Sequence, residues 1–190
     1  NMISTILLTS IIQNYVFLSV LRGSNNGLLS TIAHRHGRDQ NYLNFLHYRC
    51  GQITTVVFFK IVGIVMVPVT FLVLRSKFSA EFTGQVEKYM LMGLVNLLLK
   101  GLIDLQRTIF IQSGYEETQK QTQIFAFILQ GIINFVLIFG LKMGLLGTII
   151  SITLTNAIVF ALNEWFLMKQ FRVEFDDQEE AKLFNFGQIK

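Results

Sequence analysis

The chain has 190 residues, 52% of them hydrophobic and 15% charged, with a net charge of +4 and a single proline, Pro68. A soluble domain carries about 25% charged residues, so the deficit falls on the charges that a water-facing surface needs, and a large extramembrane domain is excluded. The lone cysteine, Cys50, excludes an internal disulfide and any cluster of cysteine ligands.

The first residues, Asn1 and Met2, run straight into apolar sequence with no basic leader and no small-residue cleavage site. The sequence therefore reads as a fragment. Apolar stretches of spanning length cover 3–32, 53–74, 86–111, 122–140 and 144–168, against about 20 residues for one membrane helix. Polar residues inside them recur at three and four positions, not at two, which fits helices and not a transmembrane barrel. The expected fold is all-α, a polytopic membrane helix bundle of about five transmembrane helices over 1–168. A basic connection (34–52), a polar one (75–85), a Gln- and Glu-rich one (112–121) and a tight turn around Lys142 separate the spans. Loops this short make neighbouring helices antiparallel. The charged tail, 169–190, mixes Glu174, Asp176, Asp177, Glu179 and Glu180 with Phe171, Phe175, Leu183 and Phe184, which suits a solvated helix or connector lying along the membrane face.

Orientation follows from the basic residues. Arg35, Arg38, Arg49, Lys120, Lys169, Arg172, Lys182 and Lys190 fall on one side, and Arg75, Lys77, Lys88 and Lys142 on the other. The positive-inside rule assigns the first set, with the tail, to the cytoplasm and the N-terminus to the outside.

Four basic residues remain within the spans, Arg22, Lys60, Lys100 and Arg107, and each such charge costs about 2.5–3.5 kcal/mol at a helix centre on insertion scales. In the third span Gly93, Asn96, Lys100, Asp104 and Arg107 recur at helical spacing and share one face. Asp104 is within reach of both Lys100 and Arg107 along its own helix. One reading is a self-neutralised clamp whose basic side chains snorkel; the others are a proton-exchanging acid in a water-filled cavity and a contact with solute. Gln123, Gln130 and Asn134 repeat the pattern without charge in the fourth span, as interhelical glue or as pathway lining. Gly147, Ser151 and Thr155 form a small-residue seam for close helix packing, while Glu164 takes an interfacial place by default.

Soluble chemistry has little to work with. His34, His36 and His47 sit in the basic connection with only Asp39 nearby, which favours a solvated loop over a metal site. No phosphate-binding loop, nucleophile elbow or zinc-protease signature is present. The chain is expected to be no enzyme, with no catalytic residue, metal or cofactor, and with the lipid bilayer and a small-molecule solute as partners in place of nucleic acid.

The stretch GLLSTIAHRHG (27–37), leaving a helix into a basic loop, resembles the end of the second helix of multidrug and toxic compound extrusion (MATE) transporters. LQRTIFIQSG (105–114) resembles the end of that family's fourth helix, and INFVLIFGLKMGLLGTIISITLTN (133–156) its fifth helix, tight turn and sixth helix. The resemblance implies helices two to six of an N-terminal lobe, with 169–190 opening the linker to a second lobe that completes a twelve-helix exporter. It also implies antiport of small organic cations, drugs or other solutes, driven by protons or sodium, in the plasma or a vacuolar membrane. The family's membrane acids lie outside the matching region, so no functional residue is carried over, and the fourth-helix proline is replaced by a segment with Gly93 and Asn96. Two other readings stand beside this one: a lipid-linked oligosaccharide flippase of the same superfamily, and a non-transporting subunit of a larger membrane complex.

Overall fold

The computed structural model describes residues 2–19, 22–23 and 41–177. The first stretch of the family resemblance (27–37), His34 and His36, and the tail beyond 177 lie outside them. Among the described residues the fold is all-helical, with no strand and only short connections between helices. Helix α1 (Met2–Ile11) continues into wider π-helical turns (Ile12–Leu18). It is followed by α2 (Asn41–Lys77), α3 (Ala80–Gln112), α4 (Glu116–Phe135) with a π-helical end (Val136–Gly140), and α5 (Gly144–Asp177).

Three segments are long and apolar enough to cross a membrane: Tyr48–Lys77, Glu116–Gly140 and Leu146–Gln170. Helix α3 is of a different kind. It carries Glu87, Lys88, Lys100, Asp104 and Arg107, and it packs against each of the other four helices. Two apolar clusters hold it there. Ile12, Leu18, Val62, Val86, Met90 and Leu97 join α1, α2 and α3 toward one end, and Tyr48, Leu105, Ile109, Phe110 and Leu167 join α2, α3 and α5 toward the other.

The connections are shorter than the charge pattern predicts, because charged residues near the helix ends bond across helices instead of ending them. Residues 41–52, read from sequence as loop, already belong to α2, and Tyr48, Arg49 and Gln52 reach from it toward α5. The polar stretch 75–85 contracts to Phe78 and Ser79. There the Arg75 guanidinium donates Nε and Nη2 to the Glu87 carboxylate at 2.7 and 2.9 Å, tying α2 to α3.

The third connection contracts to 113–115. Gly114 takes the left-handed conformation (φ 77°). Its N–H reaches the Ile111 carbonyl at 3.2 Å, and the Tyr115 N–H reaches that of Phe110 at 2.8 Å. This pair of bonds closes the free carbonyls of a helix end, and Tyr115 then packs edge-on against Phe166 of α5. The turn expected around Lys142 is present, with Lys142 itself at φ 53° and the Met143 N–H bonded to the Leu137 carbonyl at 3.1 Å.

Candidate functional site

The polar face of α3 opens on three cavities in succession. The first, about 170 Å³, lies between α1, α3 and α5 and is lined by Thr9, Gln13, Gly93, Asn96, Lys100 and Thr148, among others. The second, about 470 Å³, lies between α1 and α3, where Tyr15, Leu18, Ser19, Arg22, Lys100 and Asp104 meet. The third, about 270 Å³, lies between α3, α4 and α5 and gathers Asp104, Arg107, Gln119, Gln123, Gln130, Asn156 and Asn163. Lys100 belongs to the first two and Asp104 to the last two, so the cavities form one polar seam. From Gly93 to Arg107 it follows α3 for about 21 Å at 1.5 Å per residue.

Sequence spacing had grouped Asn96, Lys100, Asp104 and Arg107 on α3, and Gln123 and Gln130 on α4. The structure brings Asp104, Arg107, Gln123 and Gln130 to one cavity and Asn96 and Lys100 to another. Asn134 lines none of the three; its Oδ1 is buried with no hydrogen-bond partner among the described residues.

Close approach shapes the first cavity. Gly93 lies under the Gln13 side chain, and a Cβ there would collide with the Gln13 amide. One turn along, the Asn156 side-chain amide donates to Asn96 Oδ1 at 2.5 Å, joining α5 to α3. Ser151 and Thr155 are buried. Ser151 donates its hydroxyl to the Gln130 carbonyl at 3.4 Å, so this part of the small-residue seam faces α4.

Asp104 differs from its expected pairing. Its ion pair is not with Lys100 or Arg107 on its own helix but with Arg22 on the segment following α1, whose Nε donates to Oδ2 at 3.0 Å. Lys100 and Arg107 make no ion pair among the described residues.

A second polar group was not singled out in the sequence. At the end of the bundle where α2 begins, Glu164 of α5 accepts from four side chains. Oε1 takes a bond from Arg49 at 2.8 Å. Oε2 takes bonds from Gln52 at 3.0 Å, from Gln106 at 3.2 Å and from the Tyr48 hydroxyl. Tyr48 and Gln106 are fully buried. A half-buried carboxylate is stabilised by a counter-charge and by filled lone pairs, and Glu164 has both. Arg49, Gln52 and Glu164 also line a cavity of about 470 Å³ beside Leu102 and Phe160, and the group fastens α2, α3 and α5 together as a latch. Its only local signal is Tyr48 and Gln52 one helical turn apart; Glu164 and Gln106 come from distant sequence.

Among the described residues no group of His, Cys, Asp and Glu is arranged to hold a metal ion. Neither a family model, nor a curated protein, nor a solved structure matches the chain.

Proposed function

We propose that the chain supplies five membrane spans, α1 to α5, to the N-terminal lobe of a MATE-like secondary-active transporter, an integral multi-pass membrane protein. The observation that carries this reading is the run of joined cavities along α3, with Asn96 buried and Lys100, Asp104 and Gln130 half-buried along it. In a membrane bundle such residues line solute and ion paths, because lipid cannot solvate them. Large apolar side chains exposed on α2 and α4, including Ile64, Leu72, Phe127 and Phe139, support a lipid-facing exterior. Lys169 lies 5.5 Å from the Trp165 ring, an arrangement suited to the membrane–water interface.

In this mechanism the lobe rocks against a second lobe and exposes the seam alternately to each side. Asn96, Gln123 and Gln130 offer amides that hydrogen-bond a passing solute, and Lys100, Asp104 and Arg107 set the charge it meets. Antiport couples the solute to protons or sodium at acids that the family resemblance implies elsewhere in the transporter. The test is flux in reconstituted vesicles, using ethidium and an anionic fluorescent dye, with and without a pH or sodium gradient. Gradient-dependent movement of either probe is expected. Gradient-independent flux, or none from the complete reading frame, overturns antiport.

A further inference from the structure

We infer that the cavity between α1 and α3 is an anion subsite, built to hold a phosphate-type oxyanion carried either by a free solute or by a lipid headgroup. The inference rests on the transport reading above in taking this cavity as part of the solute path. Six residues line it: Tyr15, Leu18, Ser19, Arg22, Lys100 and Asp104. Two are cations and one is an acid, and the acid is already bonded to Arg22. That bond uses Nε alone, and the two terminal nitrogens of Arg22 make no other hydrogen bond among the described residues. The guanidinium fork matches two oxygens of a phosphate at once, and an ammonium adds a compact third contact. Tyr15 lines the same cavity, and a phenol hydroxyl can donate to an oxyanion.

The surroundings deepen the imbalance. Arg107 follows Asp104 on the same face and has no ion pair among the described residues, so the seam from Gly93 to Arg107 presents Arg22, Lys100 and Arg107 against Asp104 alone. A positive excess of this kind, with Lys100 half-buried and Arg22 and Arg107 exposed at the cavity mouths, is stabilised by an anion and opposed by a second cation. An organic cation entering here would meet two positive charges and a carboxylate already engaged. At about 470 Å³ the space admits a pyrophosphate-sized group, within the usual range of roughly 300–1,000 Å³ for ligand sites.

The test uses the full chain in phosphatidylcholine nanodiscs, with folding checked by helical circular dichroism. One arm titrates inorganic pyrophosphate by calorimetry; the other adds phosphatidic acid to the discs and counts bound lipid by native mass spectrometry. Saturable binding in either arm is expected, weakened about 10- to 100-fold in Lys100→Gln and Arg22→Gln, as fits loss of one charge-assisted bond. Lys100→Arg, which keeps the charge, retains binding, and Lys88→Gln, outside the cavity, leaves it unchanged. Asp104→Asn, which removes the competing carboxylate, tightens it. Binding in the pyrophosphate arm assigns a free anion, and binding in the lipid arm alone a headgroup. Absence of saturable binding in both arms, binding indifferent to Lys100→Gln and Arg22→Gln, or ethidium binding that requires Asp104 overturns the inference. No gradient is applied, so loss of binding and loss of gradient-driven flux are read separately.

Discussion

Arg49 and Glu164 stand 115 residues apart in the chain and meet at 2.8 Å, so that the first turns of α2 and the second half of α5 close on one carboxylate. Tyr48, Gln52 and Gln106 complete its shell. Glu164→Gln keeps the shape of the side chain but leaves Arg49 without its counter-charge. The expected loss is about 1–3 kcal/mol, toward the lower end because Arg49 is half-exposed. Unfolding of the purified chain in detergent, followed by circular dichroism, measures it. A change below about 0.3 kcal/mol would show that the latch contributes nothing.

The amide pair Asn96 and Asn156 is a second interhelical tie, between α3 and α5. Hydrogen bonds inside membrane bundles have measured couplings averaging about 0.6 kcal/mol and reaching about 1.7 kcal/mol. A double-mutant cycle with Asn96→Ala and Asn156→Ala is expected to return a favourable coupling in that range. Strict additivity of the two substitutions contradicts the contact.

Gly93→Ala drives a methyl into Gln13. The obstacle is the end of a flexible side chain beside a cavity, so Gln13 swings aside and the helices stay packed, at a cost of about 1 kcal/mol, the low end for overpacking. Gln13→Ala in the same chain removes the clash and is expected to return more than half of that loss. Equal destabilisation with and without Gln13→Ala would place the strain elsewhere.

Cysteine accessibility separates the two faces of α4. On a Cys50→Ser background, Gln130→Cys, which lines the third cavity, is expected to react with a membrane-impermeant thiol reagent at least about tenfold faster than Ile128→Cys. Thiol reactions need thiolate and access, and Ile128 is exposed on the outside of the bundle, where lipid excludes both water and reagent. Equal rates would contradict a reagent-accessible seam along α4.

Helical class, the polar face of α3 and the turn at Lys142 were legible because each is a local pattern: a period, a run, a pair of glycines around a lysine. The partners of the charges were not. Helical spacing reports neighbours within a helix, so it offered Asp104 only Lys100 and Arg107, while the bonded partner, Arg22, is 82 residues away. Residues 41–52 looked like loop because Arg49 and Gln52 are polar, yet these side chains are spent on Glu164 and let the helix run on. Glu164 has an interfacial place by sequence, but its partners do not show there: nothing within a turn of it reveals four donors arriving from α2 and α3.

The place of α3 at the centre of the bundle sets an order of events during synthesis. Asn96 leaves the ribosome 60 residues before its partner Asn156, an interval of about 3–12 s at roughly 5–20 residues per second. Throughout that interval the face of α3 destined for α5 has nothing to cover it, and Lys100, Asp104 and Arg107 are poorly suited to lateral release into hydrocarbon. If α3 spans the membrane as proposed, that face waits for α5 before its polar side chains gain their partners. Truncation before Ser151 is expected to convert a stable bundle into a substrate for membrane quality control.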